Sequence, residues 1–210
     1  MVVDKTLTHV PFRSRAAGAP RGPRQRDQRR DALLDVAAAV LVEKGLAAST
    51  IDCIAMRAGV AKGTFYHYFH DRAAMLEALR KRYSQHFADS VQAEMNVCDA
   101  DDWQAQLDGW IAAVVREYGV SYALHDVIFH DPSVCHRNAM SEEAIVQNLA
   151  ALLERGKSAG TWEIEDPLET AVCMFHGLHG LVDEAIVSGA DPVRVAPRLS
   201  RLFANMLRAP

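Results

Sequence analysis

The chain has 210 residues, of which 50% are hydrophobic and 24% charged, a balance typical of a folded domain and unlike that of a disordered chain. Its four cysteines are widely spaced and no stretch approaches 18 apolar residues, so we expect a cytoplasmic protein without a disulfide framework, signal peptide or membrane partner. The net charge of −4 conceals a basic front, because residues 1–82 hold 15 Lys and Arg against 8 Asp and Glu, whereas residues 83–210 hold 8 against 19. That split favours polyanion binding by the basic residues 1–82 and not by the acidic residues 83–210.

Residues 1–26 form a basic segment that is rich in glycine and proline and contains Arg13, Arg15, Arg21 and Arg24. Such a segment buries too little apolar surface to offset its ordering entropy, so we predict a disordered arm. The arm either follows the phosphate backbone or enters an adjacent minor groove, as basic arms do, or it is an idle solvated tail. Composition alone leaves these alternatives open.

Three helices are predicted next. The first runs over Asp27–Lys44, where apolar residues recur at i, i+3 and i+4, and Gly45 follows as a stop. Two shorter helices cover Thr50–Arg57 and Ala61–Phe69, and Gly59 between them can adopt the positive φ of a tight corner. Two helices joined in this way form a helix-turn-helix, which the first helix would cover.

The ends and faces of these short helices carry the functional signal. Ser49, with Asp52 three residues on, resembles a capping box for the first of the two. Phe65 and Phe69 face inward on the second, which leaves an outward face made of Ala61, Lys62, Gly63, Thr64, Tyr66 and His67. These groups can donate to phosphate oxygens and base edges, as a helix in the major groove must. The alternative is the polar solvent face of an ordinary short helix.

The remainder of the chain also has helical spacing, and no segment is typical of a strand. Capping residues, prolines and glycines divide it into a long helix from Asp71 to about Met95, a helix over Asp101–Val120 that continues through Ser121–Asp131, and helices at Ser141–Lys157, Asp166–Val187 and from Asp191 onward. We therefore predict an all-α chain of about nine helices.

The stretch TIDCIAMRAGVAKGTFYHYFHDRAAML resembles the DNA-binding segment of the TetR (tetracycline repressor) family of bacterial regulators. The family core G-V-x-K-G-T-[FL]-Y-x-[YH]-F is matched by Gly59, Val60, Lys62, Gly63, Thr64, Phe65, Tyr66, Tyr68 and Phe69. The resemblance covers about residues 30–76. Beyond them the chain is similar to the family in length and helical style, not in motif.

The resemblance implies a three-part organisation: the arm at 1–26, a helix-turn-helix head at 27–72, and a ligand-binding and dimerisation body at 73–210. It further implies a homodimer, paired through a four-helix bundle, that binds a palindromic double-stranded DNA operator. By the family's default the protein is a repressor, released by a small-molecule effector bound in the body. A dimer also suits the physics, since one head reads only a few base pairs.

The resemblance places a phosphate contact at Arg72, where a lysine is more usual, and arginine keeps the charge and adds a fork. The full predicted DNA-binding set is Thr50, Ala61, Lys62, Gly63, Thr64, Tyr66, His67 and Arg72. We expect no catalytic residue, no resident metal and no cofactor.

An effector pocket among the middle helices would have aromatic walls and a few imidazoles to orient a ligand. The candidate residues are Trp103, Trp110, Tyr118, Tyr122, His125, Phe129, His130, Phe175, His176 and His179. The alternative for each of them is an ordinary place in a packed core.

Two further alternatives use the body's histidines. His125, Asp126, His130, Asp131, Cys135 and His136 lie close in sequence, and His176 and His179 are spaced i, i+3. Imidazole, carboxylate and thiolate together can bind a transition metal, which would indicate a metal-sensing regulator, although none of the short zinc spacings is present. The paired His-Asp residues also leave open a helical metal-dependent phosphohydrolase of the HD type, which would not explain the helix-turn-helix.

Overall fold

The computed structural model describes residues 23–129 and 144–207, with side chains from residue 26 onward. Within these residues the secondary structure is helical throughout, which confirms the predicted all-α class. The elements are α1 (Pro23–Ala48), α2 (Ile51–Arg57), α3 (Lys62–Tyr68), α4 (Arg72–Met95), α5 (Trp103–Phe129), α6 (Ala144–Ser158), α7 (Pro167–Ser188), a 3₁₀ turn (Pro192–Val195) and α8 (Ala196–Met206).

The chain divides into two compact units. Among the described residues, the first contains 23–82 and 120–129, and the second contains 83–119 and 144–207. The boundaries fall inside α4 and inside α5 rather than in loops. This division by packing differs from the predicted division at residue 72, which was drawn by function and remains a prediction.

In the first unit, α1 begins at Pro23, four residues before the predicted start. The last four residues of the predicted disordered arm, 23–26, are therefore helical, and residues 1–22 lie outside the described residues. The predicted stop is present, because Gly45 has φ 74° and ψ 171° and interrupts the helical backbone before its last turn. Leu34, Val40 and Leu41 on α1 are fully buried, so the apolar face of α1 does form the floor of the unit.

The cap of α2 is Thr50 and not Ser49, which corrects the predicted capping box. The Thr50 hydroxyl accepts from the amide of Cys53 at 3.2 Å, as an N-cap side chain does. Ser49 is instead fully buried, and its hydroxyl lies 2.6 Å from the carbonyl of Gly45 and 3.2 Å from that of Val40. It therefore satisfies a carbonyl that the break in α1 leaves without a helical partner.

In the second unit, the predicted boundary signals are mostly correct. Asp166 accepts from the amides of Leu168 and Glu169 at the start of α7, and Gly189 ends α7 with φ 73°. The two segments predicted from Asp101 to Asp131 form one α5 of 27 residues over its described part. Asp191 caps the 3₁₀ turn and not α8 directly, because its side chain accepts from the amide of Val193.

The core of the second unit is densely packed around α5, α6 and α7. Trp110, Tyr118 and Leu149 are almost completely buried. Near the end of α6, the ring of Trp162 packs against Gly156, so that a Cβ at Gly156 would stand 2.3 Å from a ring carbon. Among the helices of the described segments, none is long and apolar enough to cross a membrane.

Candidate nucleic-acid interface and effector residues

The third helix presents its polar face outward on an apolar base. Phe65 is fully buried and its ring contacts that of Phe69, with centroids 5.5 Å apart. The seven residues of α3 cannot hold themselves in a helix, so this anchor fixes the orientation of the helix. The face opposite Phe65 is consequently determined by tertiary packing.

Most of the predicted DNA-binding residues lie on that outward face. Tyr66 keeps 47% of its surface exposed, and Ala61, Lys62, Gly63 and His67 are also exposed, while Thr64 is half-buried. A Cβ built at Gly63 would meet no atom within 4 Å, so the backbone there is open to close approach by another molecule. The helix thus offers an ammonium, a phenol and an imidazole around a bare stretch of backbone.

Lys62 is paired within the protein. Its Nζ lies 2.8 Å from Oδ1 and 3.0 Å from Oδ2 of Asp52 on α2. The hydrogen bond to Asp52, followed by the attraction of the same carboxylate, raises the pKa of Lys62. Lys62 is the sole lysine or arginine of α3, and it therefore remains charged at neutral pH and is held against α2.

The other two cations between residues 49 and 72 are engaged as well. Arg57 forms an ion pair with Glu43 of α1. Arg72, predicted to contact a phosphate, is half-buried, and its Nη2 donates to the carbonyl of Leu46. In the free protein Arg72 therefore fastens the start of α4 to the end of α1, a structural role that the sequence did not indicate.

Thr50 is exposed beside this surface, but its hydroxyl is occupied as an acceptor in the cap of α2. The hydroxyl proton is still available to a second partner. Of the eight predicted residues, six lie on α3 or at its N-cap, and Thr50 is the N-cap of α2. Arg72 is half-buried and bonded to the carbonyl of Leu46.

Comparisons with known proteins agree with this geometry. The family described as "Bacterial regulatory proteins, tetR family" matches residues 33–79, which run from α1 into α4. The HTH-type transcriptional regulator BetI of Yersinia pestis (strain Pestoides F) is 25% identical over 164 residues, covering 74% of this chain and 77% of BetI. Residues 33–79 thus carry the DNA-binding segment of the TetR family, and the chain as a whole is similar to regulators of that family.

Solved structures extend the likeness beyond residues 33–79 to most of the chain. A TetR-family transcription regulator from Shewanella sp. PV-4 has a TM-score of 0.68 at 24% identity, covering 87% of this chain and 99% of that one. The regulator FadR of Bacillus subtilis, solved in complex with stearoyl-CoA, has a TM-score of 0.69 at 21% identity, covering 82% and 96%. These likenesses show a shared fold. Together with the family match of residues 33–79 and the similarity to BetI, the protein is a DNA-binding transcriptional regulator.

Ring contacts join three residues of the predicted effector set around His179. In the second unit, the rings of Tyr118 and Phe175 lie 4.5 and 4.3 Å from that of His179, and the Tyr118 hydroxyl donates to Asp183 at 2.6 Å. Trp110 is fully buried on the same helix as Tyr118, and its Nε1 has no hydrogen-bond partner among the described residues. The cluster of Tyr118, Phe175 and His179 is the best candidate for an effector-binding centre, and Trp110 lies eight residues before Tyr118 on α5.

Of the other predicted effector residues, some lie elsewhere in the second unit and some belong to the first. Trp103 lies 15 residues before Tyr118 on α5, about 22 Å along the helix, and its ring is covered by Arg155. His176 is exposed. Tyr122, His125 and Phe129 belong to the first unit, where the rings of His125 and Phe129 lie 5.0 Å apart, and His130 lies outside the described residues.

The described segments contain no cluster of side chains that supports the metal-sensing alternative. Over residues 23–129 and 144–207, no three His, Cys, Asp or Glu side chains lie close enough to hold an ion. His130, Asp131, Cys135 and His136 lie outside those segments. Sequence reasoning missed Asp52 as a partner of Lys62 and Asp183 as a partner of Tyr118, because both contacts join residues from different helices.

Proposed function

We propose that the protein is a repressor that binds a palindromic operator as a homodimer and leaves it when an effector occupies the body. The outward face of α3 carries this proposal: Lys62, Tyr66 and His67 are exposed around an open Gly63, while Phe65 holds the helix from beneath. A helix of this kind can enter the major groove and place donors against base edges.

The DNA-binding part is tested by replacing Tyr66 and His67 together with alanine. A duplex selected from a random pool by the wild-type protein serves as the operator. Each contact to a base contributes about 1–3 kcal/mol, so the double variant should bind at least about thirtyfold more weakly. His70→Ala, another exposed histidine of the head, is the control and should bind normally. Normal binding by the double variant would exclude α3 as the reading helix.

The dimer is supported by the outer sides of α7 and α8. Val187 on α7 is 83% exposed, and Leu202 and Met206 on α8 are 52% and 49% exposed. Two adjacent helices with exposed apolar side chains provide the self-complementary surface that a two-fold dimer needs. A second copy paired through these helices would form a four-helix bundle.

Light scattering after gel filtration tests the dimer at micromolar concentration. The wild-type protein should be dimeric, and Leu202→Glu should be monomeric and bind the operator far more weakly. Val97→Glu is the matched control, because Val97 is 85% exposed but lies just beyond the end of α4. A monomeric wild-type protein, or a selected operator without two-fold symmetry, would contradict the proposal.

For the effector, we propose a molecule with a long apolar part and a hydrogen-bond acceptor. The support is the complete burial of Trp110 and its indole N–H, which has no partner among the described residues and requires an acceptor when buried. The solved complex of FadR with stearoyl-CoA makes long-chain acyl-CoA the first class to try.

Thermal unfolding and operator release with stearoyl-CoA test this choice, with coenzyme A alone as the control. Binding to the folded state at a hundred times Kd would add about 2.7 kcal/mol of stability, a clear rise in melting temperature. Release requires that the effector favour a different arrangement of the body, in which α4 moves the head. No stabilisation and no release would exclude this class of effector.

A further inference from the structure

An acidic side chain stands on the surface that would face DNA. Asp52 lies in the first turn of α2, keeps 69% of its side chain exposed, and holds the ammonium of Lys62 between its two carboxylate oxygens. A carboxylate repels phosphate, so its presence beside the recognition helix is unfavourable for simple attraction to a polyanion.

The cations around the recognition helix are all engaged by other groups of the protein. The three lysines and arginines between residues 49 and 72 are each bound by the protein: Lys62 by Asp52, Arg57 by Glu43, and Arg72 by the carbonyl of Leu46. The free head therefore presents α3 without an uncommitted cation of its own, although residues 1–82 as a whole are basic. Contact of Lys62 with DNA therefore competes with Asp52, which holds the ammonium on the α2 side.

We propose that Asp52 is a specificity-determining residue of the head, which withholds Lys62 from the phosphates of arbitrary duplex and releases it only at the operator. This inference rests on the proposed function of α3. A single phosphate oxygen offers Lys62 no more than the carboxylate already gives it. The two acceptors of guanine, O6 and N7, compete better, because neighbouring contacts of α3 hold the base edge in place.

This competition has a definite effect on the two kinds of complex. Phosphate contacts are the same on every sequence and supply the affinity for arbitrary DNA, whereas base contacts distinguish the operator. Suppressing one phosphate contact per head lowers the affinity for arbitrary DNA more than the affinity for the operator. The ratio of the two affinities therefore rises.

The variant Asp52→Asn tests this, because it keeps the size of the side chain and removes its charge. Binding is measured on a random-sequence duplex and on the selected operator over a salt series. We expect Asp52→Asn to bind the random duplex about three- to tenfold more tightly and the operator less than twofold more tightly. The salt slope on the random duplex should steepen by about 0.9 for each head that gains a phosphate contact.

Two controls separate the role of Lys62 from general charge. Glu77→Gln removes one charge from an exposed position on α4 and should leave the random-duplex affinity within twofold. In the background of Lys62→Gln, Asp52→Asn should have no effect. An unchanged random-duplex affinity, an equal effect of Glu77→Gln, or a persisting effect without Lys62 would each overturn the inference.

Folding and the underlying function are checked in the same experiment. Asp52 also stabilises the N-terminus of α2, so thermal unfolding of each variant is recorded, and Asp52→Glu, which keeps the carboxylate, should behave as wild type. If the folded wild-type protein bound neither duplex, the proposed function would fail. If it bound the operator and Asp52→Asn matched it on both duplexes, only the inference about Asp52 would fail.

Discussion

At the scale of single residues, the head depends on side chains that serve the backbone. Ser49 is the clearest case, because it is fully buried and satisfies the carbonyl of Gly45 where α1 breaks. Arg72 does the same for the carbonyl of Leu46. The turn between α1 and α2 thus has two of its carbonyls bound by side chains, which fixes the start of the helix-turn-helix.

Ser49→Ala should destabilise the protein by about 1–3 kcal/mol, since a buried acceptor would lose its donor without gaining water. Urea unfolding at fixed protein concentration measures the change. Ser158→Ala is the control, because Ser158 is exposed at the end of α6 and its loss should cost less than about 0.5 kcal/mol. An equally mild effect at Ser49 would mean that its hydroxyl contributes nothing to the turn.

Gly63 permits a prediction that separates stability from function. Alanine at this position meets no atom of the protein and favours the helix by up to about 1 kcal/mol. On a helix lying in the groove, however, the added methyl group would stand between the backbone and DNA. We expect Gly63→Ala to unfold at the same or a higher temperature and to bind the operator about tenfold more weakly. Unchanged binding would place Gly63 away from the contact.

At the scale of elements, the helix glycines differ in how closely other side chains pack against them. Gly156 on α6 allows the ring of Trp162 to lie against the helix backbone, and a Cβ there would be 2.3 Å from that ring. Gly109 on α5 is a matched contrast, because its Cβ would lie 3.6 Å from the sulfur of Cys98, an ordinary contact.

Gly156→Ala should therefore destabilise the protein by about 1–3 kcal/mol, because overpacking outweighs the better helix propensity of alanine. Gly109→Ala should instead be neutral or stabilising by up to about 1 kcal/mol. Unfolding of the two variants in urea tests the pair. Equal effects would show that Trp162 can move aside without cost.

Elements also show how far the sequence could predict the fold. Local signals located α4 and α7 to within a residue or two, because periodicity and caps such as Asp166 and Gly189 act within a few residues, whereas α1 begins four residues before its predicted start. They gave the wrong cap for α2, since Ser49 and Thr50 are both good caps and only the buried turn distinguishes them. The 3₁₀ turn after Asp191 was missed for a related reason: an Asp-Pro pair indicates the start of a helix but does not distinguish a 3₁₀ helix from an α-helix.

The candidate site divides along the same line. The outward face of α3 could be predicted, because burial of Phe65 determines which residues point away. The partners of Lys62 and Tyr118 could not, because each contact depends on the angle between two helices. The effector residues predicted on α5 are spread over its 27 residues, and which of them share a site depends on how the helices pack, so that part stays a prediction.

At the scale of the whole molecule, the uneven charge predicts a strong dependence of DNA affinity on salt. The basic segment before α1 should add to it, and deletion of residues 1–20 leaves α1 intact because α1 begins at Pro23. We expect the deletion to make the salt slope shallower by at least about 1, the loss of one phosphate contact. The full-length variant Arg13→Gln/Arg15→Gln separates charge from length. An unchanged slope in both would show an idle tail.

The α4 helix has one more consequence. Its 24 residues contain neither glycine nor proline, and they contribute to both compact units. A rod of about 36 Å without a joint transmits a tilt of five degrees as a displacement of about 3 Å at its far end, the length of a hydrogen bond. The length of α4 is therefore constrained as well as its sequence. Inserting a single residue would rotate every following side chain by about 100° relative to those before the insertion, so that the two ends of the helix could not both keep their packing faces.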